Sequence, residues 1–279
     1  MNKESMYAKK LSVIMSVYGK ENPIYFDKCM HSIWTWQFLK PDQIVLIKDG
    51  PLNRELENVV DKWIKLIPNS LLVIKLNENQ GLAKALNVAL AAATGDYIAR
   101  MDTDDISTPD RFIKQVNFLS ANKSIDVVGS QISEIDENEK IIKDIVRYPT
   151  NHDELLLFFT KRDPIAHPSA MFKKSFFEKA GIYNEGFRLC QDTYLWFMGF
   201  KSGCKFSNLD SVCLRFRRSE SFYTRRSDLA KATNLLRERL FTINRQLGFN
   251  IFSDIYAVLY FLMSLMPANL KRLVYQRFR

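Results

Sequence analysis

The pattern of apolar and polar positions changes period repeatedly over the first 130 residues. Short apolar runs rich in β-branched residues, typical of strands covered on both faces, are separated by longer stretches with apolar residues every three or four positions, typical of amphipathic helices. The predicted strands are 11–17, 43–48, 70–76, 97–101 and 125–132, and the predicted helices are 23–37, 53–67, 81–94 and one that begins at Thr108 and Pro109.

This regular alternation predicts an α/β fold with a Rossmann-like, mostly parallel sheet and helices on both faces. In such sheets, ligands bind beyond the carboxyl ends of the strands. After residue 134 the alternation stops, and short elements mix with polar and aromatic residues up to about residue 214. A helix with one apolar face is predicted over 228–247, followed by an uncharged stretch at 255–270.

The net charge of +9 comes entirely from the end of the chain. Residues 1–214 hold 27 basic and 27 acidic side chains, whereas residues 215–279 hold 13 basic and 4 acidic ones. Such a block attracts phosphate groups, in nucleic acid, anionic lipid or a phosphorylated substrate. No nucleic-acid-binding motif accompanies it, so nucleic acid is not an expected partner.

Anionic lipid is the favoured partner of this basic block, and a solvated helical face is the alternative. The uncharged stretch is shorter than the roughly 20 residues needed to span a bilayer. Its flanking arginines and its aromatic residues suit a helix that lies at a membrane surface. The aromatic residues concerned are Tyr256, Tyr260, Phe261 and Tyr275.

Other function classes are excluded by motifs that the sequence lacks. It contains neither G-x-G-x-x-G nor G-x-x-x-x-G-K-[ST], so a dinucleotide oxidoreductase or a P-loop NTPase is not expected. The four cysteines form no C-x-x-C pair, which argues against a zinc site or a disulfide framework. A secretory leader is not recognisable, so the protein is expected in the cytoplasm. Phosphate would then be held through a metal ion.

Three aspartates follow the fourth predicted strand, in the segment YIARMDTDDISTPDRF. In an extended chain Asp102 and Asp104 point the same way, and two carboxylates at that spacing repel unless a cation lies nearby. Mg²⁺ and Mn²⁺ prefer oxygen ligands and bridge carboxylates to diphosphates. The position at a strand end favours a metal site. The alternative is an acidic turn in which Asp105 or Ser107 caps the next helix.

Five segments resemble the inverting family 2 glycosyltransferases of GT-A fold, particularly those that build bacterial O-antigen and exopolysaccharide. The segments are LSVIMSVYGK, IVLIKDG, NQGLAKALNVALAAATGDYIARMDTDD, HPSAMF and QDTYLW. The resemblance implies a nucleotide-sugar donor half at 1–133, an acceptor half with the catalytic base at 134–218, and a basic, membrane-associating helical extension at 219–279.

The resemblance also implies a role for individual residues. Asp192 would be the catalytic base, and Asp104 would coordinate Mn²⁺ or Mg²⁺ on the donor diphosphate, assisted by Asp105. The residues implied at the donor are Ser16, Val17 and Tyr18 after the first strand, Asp49 at the base, Asp102 at the ribose or sugar, Lys84 and Asn87 at the sugar or nucleotide, and Arg217 and Arg218 near the diphosphate. The residues implied at donor or acceptor are His167, Gln191 and Trp196.

Several of these residues have a structural alternative. Lys84 and Asn87 also fit a helix surface, His167 fits a buried structural role, and Asp192 fits the first turn of the helix that follows it. The chain departs from the family pattern at Ser16, Lys48 and Gln191, where the family usually has a proline, an aspartate and an acidic residue. No essential group is lost, and the neutral Gln191 should leave Asp192 easier to ionise.

The expected function is metal-dependent, inverting transfer of a sugar from a nucleotide diphosphate donor, UDP-linked, to a saccharide on a lipid pyrophosphate. One base and one cation are sufficient for this chemistry. The expected location is peripheral, on the cytoplasmic face of the inner membrane. Two rivals are a sugar-nucleotide nucleotidyltransferase, which usually shows a glycine-rich loop with a basic residue after the first strand, and a non-enzymatic basic module that binds membranes or phosphate.

Overall fold

A computed structural model describes residues 9–186, 190–218 and 229–266. Strands and helices alternate in its first hundred residues, as the sequence predicts. The elements there are β1 (Leu11–Val17), α1 (Pro23–Ile33), β2 (Gln43–Lys48), α2 (Arg54–Leu66), β3 (Leu71–Lys75), α3 (Leu82–Ala92) and β4 (Tyr97–Arg100).

The second half contains shorter elements and one long strand. They are β5 (Ile106–Ser107), α4 (Arg111–Ala121), β6 (Val127–Ile135), β7 (Ile141–Val146), α5 (His152–Phe159), a 3-10 turn (His167–Ser169), β8 (Met171–Lys173), α6 (Lys174–Ala180), α7 (Gln191–Lys201) and β9 (Phe206–Arg217). The described part of the extension comprises α8 (Leu229–Glu238), a π turn (Arg239–Ile243), α9 (Asn244–Gln246) and α10 (Ile251–Ser264).

All the strands of the described residues join one nine-stranded sheet, in the order β3-β2-β1-β4-β8-β6-β9-β5, with β7 paired to β6. Strands β1 to β4 are parallel. Beyond β4 the sheet is mixed, because β8 runs antiparallel to both β4 and β6, while β9 is parallel to β6. The predicted α/β fold is confirmed, although the fifth predicted strand (β6) does not extend the parallel series directly.

Side chains of β1 alternate between two cores, one on each face of the sheet. Val13 and Met15 pack in a cluster with apolar residues of α1, α2 and α4. Ile14 packs on the opposite face with residues of α3, α6 and α7. This alternation is what a strand with helices on both faces requires. Helices on both faces are therefore confirmed.

The start of α4 differs from the prediction. The helix begins at Arg111 with Asp110 as its N-cap residue, so neither Asp105 nor Ser107 caps it. Ser107 instead lies in β5 and pairs with Leu214 of β9. The chain after the aspartates thus joins the sheet before the helix starts, and the alternative in which Asp105 or Ser107 caps the helix is wrong.

The predicted boundary between donor and acceptor halves falls inside a strand. Residues 133 and 134 both belong to β6, which pairs with β8 and with β9. One sheet therefore runs through both halves, and the division remains a functional prediction. Residues 219–228 and 267–279, which include the predicted interfacial Tyr275, lie outside the described residues.

The helical extension is attached to the body through Arg239 in the π turn. Its guanidinium donates to the carbonyl oxygen of Phe159 and lies over that residue's ring. Ile243 in the same turn is buried in the second core. Within the described ranges, we find no helix with the length and apolarity needed to cross a membrane.

Candidate active site

Asp102, Asp104 and Asp105 lie just beyond β4, at the carboxyl edge of the parallel strands. Carboxylate oxygens of all three lie within 4.8 Å of one another. Asp102 and Asp104 are half-buried, whereas Asp105 is completely buried. The first two carboxylates therefore line the accessible edge of the sheet, and the third lies beneath them.

The electrostatics of this cluster fit a divalent cation. Burial and the charges of Asp104 and Asp102 raise the pKa of Asp105 well above its usual value. One Asp105 oxygen accepts the backbone N–H of Arg217 at 2.8 Å, but the other is buried without a hydrogen-bond partner in the described structure. A cation among these oxygens would relieve the repulsion, and an all-oxygen donor set suits Mg²⁺ or Mn²⁺.

Arg217 supports the main chain of the aspartate cluster. Its Nε donates to the carbonyl oxygen of Asp104 at 2.8 Å, and Nη1 donates to two carbonyl oxygens at 3.2 Å, those of Asp136 and Glu137. Nη2 pairs with Glu139 at 3.2 Å. The guanidinium is buried and engaged by the protein, so these contacts do not support the predicted diphosphate contact of Arg217.

Arg218 also points into the protein. Its Nη1 pairs with the Glu134 carboxylate at 2.8 Å, and both side chains are buried. A buried arginine requires such a counter-charge. The role predicted for Arg218 at the diphosphate is therefore not supported by its observed contacts.

The residues predicted to line the nucleotide pocket meet at the ends of β1 and β2. The backbone N–H of Asp49 donates to the carbonyl oxygen of Val17 at 2.8 Å. Ser16 and Tyr18 are half-buried, but the side chain of Val17 belongs to the core. Val17 could therefore offer a nucleotide only its backbone.

The Asp49 carboxylate shapes the loop that leads into α3. Its oxygens accept the backbone N–H groups of Gln80 at 2.7 Å and Gly81 at 3.0 Å. Gly50 follows with a φ of 85°, and a Cβ there would lie 2.7 Å from the backbone nitrogen of Asn79. Each carboxylate oxygen has a second lone pair, so Asp49 can still accept a hydrogen bond from a base.

Lys84 and Asn87 hold a neighbouring segment against α3. The Asn87 side chain donates to the carbonyl oxygen of Tyr183 at 2.8 Å and accepts that residue's N–H at 2.9 Å. Lys84 forms an ion pair of 3.3 Å with Glu185. A buried amide must satisfy its hydrogen-bonding groups. The helix-surface alternative therefore describes Lys84, whereas Asn87 is a buried residue with a structural role.

His167 is buried and bonds to Tyr183. Its Nε2 lies 2.7 Å from the Tyr183 hydroxyl oxygen. Burial, and then the charge of Arg100, lower the pKa of His167 well below its usual value, so the ring is neutral. Trp196 is fully buried and stacks on Phe172 at 5.7 Å, which makes it a core residue rather than an open sugar platform.

Asp192 lies in the first turn of α7, as the sequence predicts, and it is half-buried. One of its oxygens accepts the N–H of Thr193 at 3.0 Å. Gln191 beside it is buried, and its Oε1 has no hydrogen-bond partner among the described residues. Both remain candidates for contact with a substrate.

Tyr183 links the two carboxylate sites. Its pKa is raised by burial and, less strongly, by the charges of Asp192 and Asp102, while Arg100 acts in the opposite direction. The Tyr183 side chain is thus within electrostatic reach of both the predicted base and the aspartate cluster. Sequence reasoning missed Tyr183, and it missed Arg100, which pairs with Asp102.

Fold and site together give an α/β chain with a cluster of three carboxylates at the sheet edge and a separate carboxylate in the first turn of a helix. Residues 12–181 match the family described as Glycosyl transferase family 2. The chain belongs to this family. The predicted resemblance and the prediction of a hexosyltransferase-type glycosyltransferase are therefore confirmed.

Relatives of similar length support this assignment. A glycosyltransferase of Haemophilus influenzae described as uncharacterized is 36% identical over 274 residues, covering 96% of this chain and 98% of the relative. The amylovoran biosynthesis glycosyltransferase AmsE of Erwinia amylovora is 30% identical over 272 residues, with the same coverage of 96% and 98%. The UDP-Gal:alpha-D-GlcNAc-diphosphoundecaprenol beta-1,3-galactosyltransferase of Escherichia coli is 29% identical over 223 residues, covering 80% and 79%.

Solved structures share the fold. Staphylococcus aureus TarS residues 1–349, in complex with UDP, has a TM-score of 0.60 at 19% identity, covering 92% of this chain and 81% of that chain. The mannosyltransferase PcManGT from Pyrobaculum calidifontis, in complex with GDP-Man and Mn²⁺, has a TM-score of 0.64 at 17% identity, covering 97% and 80%. At such identities the similarity concerns the fold, which is consistent with the predicted GT-A type.

Proposed function

We propose that this chain is a metal-dependent, inverting glycosyltransferase that moves one sugar from a nucleotide diphosphate donor to a saccharide acceptor. The observation that carries the proposal is the cluster of three carboxylates, with oxygens within 4.8 Å, at the edge of the sheet in a family 2 chain. Parallel α/β sheets bind their ligands at this edge.

Asp104, with Asp105 beneath it, would hold Mn²⁺ or Mg²⁺. When bound there, the ion offsets the negative charge that develops on the departing diphosphate. Arg217 contributes indirectly, since it fixes the main chain of Asp104. Asp102 would accept a hydrogen bond from the ribose or the sugar, and Asp49 would accept one from the base.

The donor is proposed to be UDP-linked. The E. coli relative is named for a UDP-Gal donor, and the S. aureus neighbour is described with UDP. Such a nucleotide would lie against the half-buried Ser16 and Tyr18, the backbone of Val17 and the buried carboxylate of Asp49.

Asp192 would remove the proton from the attacking acceptor hydroxyl. The oxygen of that hydroxyl then forms a bond to the anomeric carbon from the face opposite the nucleoside diphosphate, which leaves with the bonding electron pair. A half-buried carboxylate in the first turn of a helix can accept this proton while the rest of the site remains fixed. Gln191, its neighbour in α7, would contact the acceptor.

The acceptor is proposed to be a saccharide on a lipid pyrophosphate, used in the synthesis of a bacterial surface polysaccharide at the cytoplasmic face of the inner membrane. The E. coli relative is named for a diphosphoundecaprenol-linked acceptor, and AmsE for amylovoran biosynthesis. The exposed apolar face of α10 and the basic residues of 219–279 support peripheral attachment to an anionic membrane.

Asp192→Asn tests the assignment of the base. We expect the substitution to lower sugar transfer by roughly 10²–10⁴-fold, because the amide cannot accept the proton. Binding of the nucleotide sugar with Mn²⁺, measured by calorimetry, should remain unchanged, since Asp192 does not contact the donor.

Asp153→Asn is the matched control, since Asp153 also lies in the first turn of a helix, α5, and is exposed. This variant should transfer sugar at the wild-type rate. Undiminished transfer by Asp192→Asn would contradict the assignment. Equal loss in both variants would mean that the effect comes from the helix turn rather than from a base.

A further inference from the structure

Arg100 is the last residue of β4, and its side chain is only 3% exposed. Its Nη2 pairs with Oδ1 of Asp102, whose side chain is 32% exposed. The ion pair thus connects a carboxylate at the accessible edge of the site with a cation inside the protein.

Hydrogen bonding alone does not account for the burial of this guanidinium. Nε and Nη1 of Arg100 are buried and have no hydrogen-bond partner within the described ranges. Arg111, a second buried arginine at the same strand end, differs: its Nε donates to Gln115 at 3.1 Å and its Nη2 donates to the carbonyl oxygen of Arg100 at 2.8 Å. Buried donors without partners are unfavourable. The contribution of Arg100 therefore lies in its charge.

The surroundings of Arg100 direct that charge toward the aspartates. Asp102 and Asp105 both favour its charged form, and Asp102 acts more strongly. The other neighbours that interact with it are the buried cation Arg111, the neutral His167, and Tyr183, whose hydroxyl bonds to that histidine. Of the two buried arginines at this strand end, Arg100 is therefore the one that pairs with a carboxylate of the cluster.

We propose that Arg100 is a positioning residue that orients the Asp102 carboxylate toward the donor. The ion pair fixes one carboxylate oxygen and so restricts the rotation of the side chain, while the second oxygen remains available to a hydroxyl group. A carboxylate oriented in advance loses less conformational freedom on binding. This inference rests on the proposed function, because it assumes that Asp102 contacts the ribose or sugar.

A double-mutant cycle with Arg100→Met and Asp102→Asn tests the inference. Binding of UDP-galactose in the presence of Mn²⁺ is measured by titration calorimetry for the wild type, both single variants and the double variant. We expect each single variant to bind about 10- to 100-fold more weakly, as is typical for a residue that supports a ligand-binding side chain. The double variant should bind no more weakly than Asp102→Asn alone, because Arg100 acts through Asp102.

A structural role alone would give a different result. Arg100→Met would then weaken binding by the same factor in both backgrounds, and such additivity would overturn the inference. If Arg100→Met does not fold, Arg100→Lys replaces it in the double-mutant cycle. It should recover part of the affinity, since it keeps the charge but loses the planar fork of donors.

Arg111→Lys is the matched control, because Arg111 is equally buried at the same strand end but bonds to carbonyl and amide oxygens instead of a carboxylate. The effect of Arg111→Lys on binding should be additive with that of Asp102→Asn.

If the wild type binds neither UDP-galactose nor UDP, the UDP-linked donor is wrong and the inference falls with it. If Asp102→Asn binds normally, the donor role of Asp102 is wrong. If Asp102→Asn weakens binding but its effect is additive with that of Arg100→Met, the inference alone is wrong.

Discussion

Asp102, Asp104 and Asp105 carry the same functional group but differ in burial, and burial separates their roles. Asp105 is enclosed and accepts the backbone N–H of Arg217, so it fixes the loop beneath the other two aspartates. Asp102 and Asp104 remain accessible at the edge. Spacing along the sequence pairs Asp102 with Asp104, but it does not show which aspartate is enclosed.

Arg100 had a detectable signal in the sequence. It is a charged residue within YIARM, an otherwise apolar strand, and buried charges require a partner. Tyr183 gives no such signal, because its contacts with Asn87 and His167 span 96 and 16 residues of sequence. Only the fold brings these residues together.

His167 makes stability depend on pH. Its pKa in the folded state is depressed, so the folded state excludes a proton that the unfolded state accepts below the ordinary value of 6.5. Stability due to this residue is present above pH 6.5 and decreases as the pH falls through that value, by up to about 1.4 kcal/mol at pH 5.5.

Urea unfolding of the wild type and of His167→Gln at pH 7.5 and pH 5.5 measures this contribution. Glutamine can still bond to the Tyr183 hydroxyl but does not titrate, so the variant should lose less stability than the wild type over this interval, by up to about 1.4 kcal/mol. Identical losses in the two proteins would mean that His167 takes up a proton in the folded state as readily as in the unfolded state.

Among the secondary-structure elements, α10 is unusual for its exposed apolar side chains. Its inner face carries the buried residues Ser253, Asp254 and Ala257. The exposed apolar residues recur every three or four positions: Ile251, Phe252, Ile255, Val258, Leu259 and Leu262. Water is an unfavourable environment for such a continuous stripe, and its length and position suit a helix lying in a membrane surface.

Replacing Leu259 and Leu262 together by glutamine tests the role of this stripe. We expect binding to vesicles that contain phosphatidylglycerol to weaken at least tenfold, because each buried leucine contributes about 1.5–3 kcal/mol. Co-sedimentation with vesicles measures the effect, and vesicles of phosphatidylcholine alone should bind the wild type less well.

The matched control replaces Leu66 and Leu157, two exposed leucines on α2 and α5, by glutamine. Vesicle binding of this control should equal that of the wild type. Wild-type binding by the Leu259 and Leu262 variant would show that the stripe does not mediate attachment.

The strands and helices that could be predicted from the sequence are those with a regular pattern of apolar residues. Strands β1 to β4 are apolar runs and their helices have clear apolar faces, so local pattern was sufficient to predict them. β8 has only three residues, and its antiparallel place between β4 and β6 depends on distant partners. The π turn at Arg239–Ile243 also follows from packing, since Arg239 bonds to Phe159 of α5.

In the whole molecule, one sheet supports both predicted carboxylate sites. The aspartate cluster follows β4, and the predicted base begins α7, which packs on the same sheet. The segment around Tyr183 is fixed by Asn87 of α3 and by His167. The predicted donor and acceptor halves are therefore joined by one continuous sheet.

Product analysis with a panel of nucleotide sugars tests the central claim most directly. The wild type should slowly release the nucleoside diphosphate from at least one UDP-sugar in the presence of Mn²⁺ or Mg²⁺, and EDTA should stop the release. Asp104→Asn should lower the rate of this metal-dependent release at least tenfold, which corresponds to about 1.4 kcal/mol. Asp110→Asn, at an acidic residue paired with Lys114, should leave the rate unchanged. Release of pyrophosphate, or equal turnover by Asp104→Asn, would contradict the account.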